Sequence, residues 1–263
     1  MLKITSKENT RLRRLSRLYA SGRERRENGL FVLEGVRLVR DAVENGVPVR
    51  EVYVTRQGIA RLGERFSMLS LAADELFEID ETLSRRIGDT EHPQGVFAVC
   101  EGSLLTDGLP EDLSAGCLLL CSLQDPGNVG TILRTAAAFG LPVVMTADCP
   151  APDSPKVLRA AMGVRHAWRM PSAVCAVEAL RLRGVPVLAA ALEDDSLPVE
   201  KISLRGAAVA VGNEGAGLSG EVIERCSGRV ILPMEPGCES LNAAAAASVF
   251  AWELYRAKRG LRV

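Results

Sequence analysis

The stretch CLLLCSLQDPGNVGTILRTAAAFG, residues 117–140, joins an apolar run to an alanine-rich segment through a short loop that contains Pro and Gly. Residues 117–123 have the length and the continuous apolar character of a strand that is buried on both faces, which is typical of parallel sheets. The segment 129–139 predicts a helix, and Asn128 is its predicted N-cap. This order of strand, loop and helix predicts an α/β sheet that binds ligands at the carboxyl ends of its strands.

The same alternation continues to the C-terminus. Four further strands are predicted, at residues 141–147, 185–192, 207–212 and 229–234. Helices are predicted between and after them, at about residues 154–161, 173–182, 218–226 and 241–258. The second half therefore predicts a parallel sheet with helices on both faces.

The first half of the chain also alternates between strands and helices. Its predicted strands are GLFVLEG (29–35), REVYVT (50–55), FSMLSLA (66–72) and GVFAVCE (95–101). Its predicted helices cover residues 10–27, 36–45 and 74–87. A stretch rich in Gly, Pro, Ser and acidic residues then suggests a linker. We predict two α/β domains, at residues 1–104 and 115–263, which are joined by a linker at 105–114.

The composition restricts the kinds of chemistry that are available. No apolar run is long enough to cross a bilayer, so no membrane partner is expected. The seven cysteines are an odd number without a CxxC pair, which predicts reduced thiols and a cytoplasmic protein. The Arg-rich, acid-poor N-terminus would also suit a mitochondrial presequence. The chain has two histidines, His92 and His166, which are few for a zinc site or a Ser-His-Asp triad. No metal is therefore predicted.

Positive charge is concentrated at the N-terminus. The whole chain has a net charge of −1, yet residues 1–26 contain nine Lys or Arg against Glu8 and Glu24. Such asymmetry indicates a polyanionic partner. The predicted RNA-binding residues are Arg11, Arg13, Arg14 and Arg17. The alternative is a solvated helix face without a partner.

Two more loops follow predicted strands. The first, VAVGNEGAGLS (209–219), has three glycines that let a flat ligand approach the backbone, and Ser219 is the predicted N-cap of the next helix. Its GxxGxG spacing is not the GxGxxG of dinucleotide sites, which argues against a nicotinamide dehydrogenase. The second loop lies within ILPMEPGCESLNAAAAASVFAWEL (231–254), where Ser240 is the predicted N-cap and Asn242 lies in the first helical turn.

Together the three loops resemble, in order and spacing, the three motifs of SpoU/TrmH-type RNA ribose 2′-O-methyltransferases, which belong to the SPOUT class. The matching motifs are N-x-G-x-x-x-R (128–134), G-N-E-G-x-G-L-S (212–219) and ILPM followed by SLNA. Ala243 replaces the usual valine of the third motif, and we expect this to alter packing only. NGLFVLEGVRLVRDAVENG (28–46) and HPQGVFAV (92–99) resemble the family's L30e-like substrate-binding domain.

The resemblance implies an enzyme that methylates a ribose 2′-hydroxyl of RNA, with ribosomal RNA favoured over transfer RNA and with S-adenosylmethionine as cofactor. It also implies a deep trefoil knot in the second domain and an obligate homodimer whose active site combines both subunits. The implied catalytic residues are Asn128, Arg134, Glu214, Ser240 and Asn242. The implied cofactor-binding residues are Gly212, Asn213, Gly217, Ile231, Leu232 and Leu241.

The role of Arg134 stays open at this level. A guanidinium with a pKa above about 12 is a poor general base, so we favour a clamp on phosphate and on the developing alkoxide. The alternative is that a desolvated Arg134 accepts the proton of the hydroxyl. Three other functions compete: methylation of transfer RNA, RNA binding without catalysis, and methylation of a base carbon with Cys238 as nucleophile.

Overall fold

The computed structural model describes residues 1–88, 90–235, 237 and 240–261. The chain forms two compact units, and the two-domain α/β organisation expected from the sequence is confirmed. One unit comprises Met1–Leu104 and Asp153–Val164, and the other comprises Leu105–Pro152 and Arg165–Val263. The division differs from the predicted one because the segment 153–164 is part of the first unit.

The first unit is built on a mixed five-stranded sheet in the order β1-β4-β3-β5-β2. Its strands are β1 (Leu2–Ile4), β2 (Leu30–Glu34), β3 (Val49–Val54), β4 (Ala73–Ile79) and β5 (Val96–Glu101). Its helices up to residue 104 are α1 (Thr10–Ala20), α2 (Gly22–Asn28), α3 (Val36–Glu44), α4 (Arg56–Leu62), α5 (Arg65–Ala72) and α6 (Glu81–Ser84). Strand β5 runs antiparallel to both β2 and β3, while β4 runs parallel to β1 and β3.

Three predictions for this unit were wrong. The helix expected over 10–27 breaks at Ser21, whose hydroxyl caps α2 by accepting the Glu24 N–H at 3.3 Å. Residues 66–72 form helix α5 where a strand was predicted, and residues 73–79 form strand β4 where a helix was predicted. A short apolar run does not distinguish a strand from a helix by periodicity alone, and here tertiary packing decided both cases.

The second unit contains an eight-stranded sheet in the order β11-β13-β10-β12-β7-β8-β9-β6. Its strands are β6 (Leu105–Asp107), β7 (Cys117–Leu120), β8 (Val143–Thr146), β9 (Ala167–Met170), β10 (Val187–Ala190), β11 (Leu197–Pro198), β12 (Ala208–Val211) and β13 (Gly228–Ile231). Every pairing in this sheet is parallel, which confirms the predicted sheet type. Strand β6 falls within the stretch that was expected to be a linker, and it pairs with β9.

Four α-helices accompany this sheet within the described residues, and one α-helix between them in sequence belongs to the first unit. The helices of the second unit are α7 (Pro126–Phe139), α9 (Ala173–Leu182), α10 (Gly220–Arg225) and α11 (Ala243–Arg259). Helix α8 (Pro155–Ala161) packs in the first unit, where Arg159 donates to the hydroxyl of Tyr19 at 2.6 Å.

The order of the strands decides where the three predicted loops meet. Strands β7 and β12 are neighbours, and β13 lies one strand further along, beyond β10. Because all of them run parallel, the loops that follow them emerge at the same edge of the sheet. The chemistry predicted from the sequence is therefore concentrated at this edge.

Candidate active site

The turn that ends β7 has an unusual backbone. Ser122 has a φ of 55°, in the left-handed region that few residues other than glycine adopt. The carbonyl of Ser122 accepts a hydrogen bond from Nδ2 of Asn213 at 2.9 Å, and its N–H donates to Oγ1 of Thr146 at 2.9 Å. The Thr146 hydroxyl in turn donates to the carboxylate of Asp148. Sequence reasoning missed Ser122, Thr146 and Asp148, because no local pattern marks them.

Helix α7 is capped by Asp125, and the prediction that Asn128 is the N-cap was wrong. The Asp125 carboxylate accepts the backbone N–H of Asn128 at 2.7 Å. Pro126 occupies the first helical position, where its fixed φ suits the helix and its missing N–H costs nothing. The side chain of Asn128 is therefore available for contacts with the other loops.

Glu214 joins the first two loops. Its carboxylate accepts the backbone N–H groups of Gln124 and Asp125 at 3.0 and 3.1 Å, and Nδ2 of Asn128 at 3.0 Å. On its other side Asn128 accepts, through Oδ1, a hydrogen bond from Nδ2 of Asn242 at 3.0 Å. The chain Glu214–Asn128–Asn242 thus connects all three loops by hydrogen bonds.

Asn242 is also the N-cap of α11, a role that the sequence analysis wrongly gave to Ser240. Its Oδ1 accepts the N–H groups of Ala244 at 2.9 Å and Ala245 at 3.2 Å. The one amide group therefore caps a helix with its oxygen and contacts Asn128 with its nitrogen. This double use fixes the start of α11 relative to α7.

The environment of Glu214 favours its charged form. Partial burial pushes its pKa up, but the hydrogen bonds from Asn128 and from the backbone N–H groups of Gln124 and Asp125 outweigh burial. The pKa of Glu214 therefore lies below its ordinary value. The carboxylate stays ionised at neutral pH and keeps accepting these three donors.

We expect replacement of this carboxylate to have a pH-dependent effect on stability. Because the pKa of Glu214 is lower in the folded than in the unfolded protein, its ionisation stabilises the folded state at pH values above its unfolded-state pKa of about 4.3. This stabilisation is lost as the pH falls through the folded-state pKa. Wild type should therefore exceed Glu214→Gln in free energy of unfolding at about pH 7, and the difference should close towards about pH 3. Urea titrations at both pH values measure it, and a difference that does not change with pH would contradict the proposed role of the hydrogen bonds.

The glycine-rich loop after β12 folds back on itself. Asn213 and Gly217 exchange backbone hydrogen bonds of 3.0 and 2.9 Å, and Gly217 has a φ of 68°. Oδ1 of Asn213 accepts the N–H groups of Gly215 and Ala216 at 2.9 and 3.0 Å. A Cβ on Gly212 would lie 2.2 Å from the carbonyl carbon of Gly217, so only glycine fits there. The side chain that follows this turn, Ser219, caps α10 as predicted.

A pocket of about 420 Å³ opens beside this loop. All six predicted cofactor-binding residues line it, together with Ser240 and Glu214: they are Gly212, Asn213, Gly217, Ile231, Leu232 and Leu241. Its size falls within the range usual for small-molecule sites, and its walls combine bare backbone with apolar side chains. The structure therefore offers a bound small molecule both hydrogen-bonding backbone and apolar contact.

Arg134 does not join this group. It is exposed on α7, it does not line the pocket, and it forms no hydrogen bond or ion pair with another described residue. The helix face that meets α11 is marked by Thr135, whose hydroxyl lies 3.4 Å from that of Ser248. Arg134 projects from a different face, which leaves its guanidinium in solvent.

The predicted RNA-binding arginines of α1 are engaged with carboxylates. Arg11 binds Glu75 through two hydrogen bonds of 2.5 and 2.9 Å, and Arg14 binds Glu51 at 2.8 Å. Arg13 pairs with Glu8, and Arg17 lies 3.8 Å from Glu24. The expectation that these side chains are free to meet phosphate is therefore wrong for Arg11 and Arg14 in this conformation, since acidic residues distant in sequence bind both of them.

Metal binding and thiol chemistry would depend on His, Cys, Asp and Glu side chains. No three His, Cys, Asp or Glu side chains within that part of the chain come together as a metal site. Burial raises the pKa of the Cys117 thiol to about 12, which makes it unreactive. Cys238 lies outside the described residues. No helix of the described chain is long and apolar enough to cross a membrane.

Comparison with known proteins gives a consistent result. A sequence model of the SpoU rRNA methylase family matches residues 116–252, and one of the MRM3-like substrate-binding domain matches residues 9–98. The chain is 31% identical over 265 residues to the 23S rRNA (guanosine(2553)-2′-O)-methyltransferase of Bacillus subtilis, covering 97% of this chain and 99% of that protein. It is 30% identical over 271 residues to the 23S rRNA (uridine(2479)-2′-O)-methyltransferase of Streptomyces viridochromogenes, covering 97% and 92%.

Solved structures agree with the sequence relatives. The SpoU methyltransferase AviRb from Streptomyces viridochromogenes, in complex with the cofactor AdoMet, superposes with a TM-score of 0.81 at 28% identity, covering 97% of this chain and 100% of that one. The AdoMet-bound rRNA methyltransferase from Sinorhizobium meliloti gives 0.78 at 25% identity, covering 99% and 98%. The family match spans more than half of the chain, and the chain belongs to the SpoU rRNA methylase family.

Proposed function

We propose that this protein transfers the methyl group of S-adenosylmethionine to a ribose 2′-hydroxyl of ribosomal RNA. The observation that carries the proposal is the hydrogen-bonded chain Glu214–Asn128–Asn242 beside a pocket with a glycine backbone, in a member of the SpoU family. Relatives that cover nearly the whole chain are named as 23S rRNA 2′-O-methyltransferases. Two similar structures are described as holding AdoMet.

The pocket suits this cofactor. Gly212 and Gly217 bring backbone close to a ligand, at a point where any side chain on Gly212 would collide with the loop. Ile231, Leu232 and Leu241 provide apolar walls for the flat and aliphatic parts of the molecule. When bound, S-adenosylmethionine supplies a methyl group activated by its positively charged sulfur. The role of the protein is then to align the 2′-hydroxyl and to assist the loss of its proton.

The polar residues take separate parts in that task. Glu214 holds the first loop in place through the N–H groups of Gln124 and Asp125. Asn128 and Asn242, which are linked to each other, orient the ribose, and Ser240 contacts the substrate at the rim of the pocket. Arg134 clamps the phosphate and the developing alkoxide, a task that suits a permanently charged planar group.

Arg134 is exposed and does not line its own pocket, so we propose that it serves the pocket of a second copy of the chain. Two neighbouring helices present the surface for such a homodimer. Helix α7 exposes Gly127, Thr131, Arg134 and Ala138 along one stripe, and α11 exposes Ala245, Val249 and Trp252 along another. Small residues permit close helix packing, and Val249 and Trp252, which are 40% and 43% exposed, add apolar area.

We expect Val249→Glu to convert the dimer into a monomer and to abolish methyl transfer. A carboxylate at the centre of a desolvated helix surface would lose its hydration without gaining a partner. Light scattering at micromolar concentration measures the mass, and Leu182→Glu is the control, because Leu182 is 89% exposed on α9. A wild-type monomer with full activity would refute the dimer, as would an unchanged mass for Val249→Glu.

The choice of RNA can be tested directly. Radiolabelled S-adenosylmethionine is supplied with either ribosomal RNA or transfer RNA from cells that lack this protein, and incorporation is counted. We expect incorporation into ribosomal RNA alone. Incorporation into transfer RNA alone would establish the alternative substrate. RNA binding without incorporation into either would indicate a non-catalytic RNA-binding protein.

Two further expectations stay predictions. The trefoil knot in the second unit rests on the family resemblance, and the cytoplasmic location rests on the reduced cysteines and on the bacterial rRNA enzymes among the relatives.

A further inference from the structure

We propose that a groove on the first unit, lined by Lys7, Arg13, Arg17 and Arg86, binds the phosphates of a single RNA strand. We call it the basic groove. The proposal rests on the proposed function in one respect, since it takes RNA as the substrate. It differs from the set of four arginines that the sequence predicted. It excludes Arg11 and Arg14, and it adds Lys7 and Arg86.

The basic groove has a volume of about 520 Å³ and runs between α1 and the turn that follows α6. Its floor is apolar and consists of Leu12, Leu83 and Ile87, all of them buried. Cationic side chains and the Ser16 hydroxyl form its rims. An apolar floor between cationic rims suits a single nucleic-acid strand, which combines charged phosphates with apolar base and sugar faces.

The charge in the groove is incompletely neutralised. Four cations meet one acidic residue, Glu8, which pairs with Arg13. Arg17 lies 3.8 Å from Glu24, and both of these side chains are partly exposed. Lys7 and Arg86 are exposed and form no ion pair with another described residue. An excess of positive charge in a concave surface attracts a polyanion.

The arginines of α1 divide between two sides of the helix. Arg11 and Arg14 face strands β3 and β4, where they pair with Glu75 and Glu51. The side chain of Glu51 is only 7% exposed, and it has both Arg14 at 2.8 Å and Arg11 at 3.6 Å to compensate its buried charge. Arg13 and Arg17, one helical turn apart, lie on the side of the groove. Arg11 and Arg14 therefore stabilise the unit, and Arg13 and Arg17 remain accessible to RNA.

The test compares two double variants of the full chain that remove equal charge. Lys7→Gln with Arg86→Gln changes the groove. The control is Arg61→Gln with Arg65→Gln. It removes two exposed arginines of the first unit that form no ion pair with another described residue. The probe is a short fluorescein-labelled single-stranded oligoribonucleotide of mixed sequence, titrated at several salt concentrations. Circular dichroism checks that both variants are folded.

We expect the groove variant to bind about ten-fold more weakly at low salt, and the control to bind like wild type. The log–log salt dependence of the groove variant should be less steep by roughly 0.7 for each lost phosphate contact. Equal weakening in both variants would overturn the proposal, since it would show a general effect of charge. An unchanged affinity and slope in the groove variant would overturn it as well.

Methyl transfer separates this proposal from the proposed function. The groove variant should need a higher concentration of ribosomal RNA than wild type for half-maximal methyl transfer. If wild type transfers no methyl group to RNA, the proposed function fails, while the binding comparison still decides whether the groove holds RNA. If the groove variant binds RNA as tightly as wild type does, and wild type methylates RNA, then the groove proposal is wrong and the proposed function stands.

Discussion

Arg134→Ala is expected to lower the rate of methyl transfer about a hundred- to a thousand-fold, while affinity for S-adenosylmethionine stays within a few-fold of wild type. The guanidinium is exposed on α7 and does not line the cofactor pocket of its own chain. Its loss therefore leaves the residues that line the pocket unchanged, and it removes the group that we propose acts on the substrate. Arg134→Lys should also fail, because a point charge does not replace a planar group with a fixed fork of donors.

Single-turnover rates and calorimetry with S-adenosylmethionine measure the two effects separately. Arg205→Ala is the control, since Arg205 is another exposed arginine of the second unit without an ion pair to a described residue. Light scattering on the variant shows whether the proposed dimer is kept. A normal rate for Arg134→Ala would contradict the role proposed for Arg134, as would lost cofactor affinity in a folded variant whose mass equals that of wild type.

Gly212→Ala is expected to reduce affinity for S-adenosylmethionine by at least about a hundred-fold. A methyl group at this position would lie 2.2 Å from one backbone atom of Gly217 and 2.4 Å from the nitrogen of Leu218. Backbone cannot give way as the end of a flexible side chain can, so the loop must open. Opening breaks the hydrogen bonds between Asn213 and Gly217 and distorts the wall of the pocket.

Gly220→Ala is the matched control for this variant. It lies in the first turn of α10, does not line the pocket, and has nothing within 4 Å of an added Cβ. Alanine there should leave cofactor affinity unchanged and raise helix stability slightly. If Gly212→Ala binds the cofactor as tightly as Gly220→Ala does, the account of the pocket is wrong.

The sequence predicted the second unit well because its signals are local. The run 117–121 is apolar without interruption, and a strand that is buried on both faces of a parallel sheet requires this pattern. The predicted cofactor-binding residues were assigned by resemblance to a family, and the structure brings all six to one pocket. The alternation of apolar strands and helices predicted that the loops lie at one edge of the sheet, but it did not predict which ligand they bind.

The errors arose where distant residues decide the outcome. Asn128 and Ser240 are residue types that commonly cap helices, but Asp125 caps α7 and Asn242 caps α11. The side chain of Asn128 instead contacts Glu214 and Asn242, which are distant in sequence. The ion pairs of Arg11 and Arg14 depend on acids in β3 and β4, which no spacing along α1 reveals. Ser122 owes its left-handed backbone to Asn213 and Thr146, both distant in sequence.

The central claim is that the methyl group goes to a ribose 2′-oxygen, and the alkali resistance of the product tests it most directly. Ribosomal RNA labelled by the wild-type protein with radioactive S-adenosylmethionine is hydrolysed in alkali and separated by size. A 2′-O-methyl group blocks cleavage of the adjacent phosphodiester, so the account predicts that the label remains in alkali-resistant dinucleotides. Label in mononucleotides would show methylation of a base, as a cysteine nucleophile at Cys238 would produce, and would contradict the account.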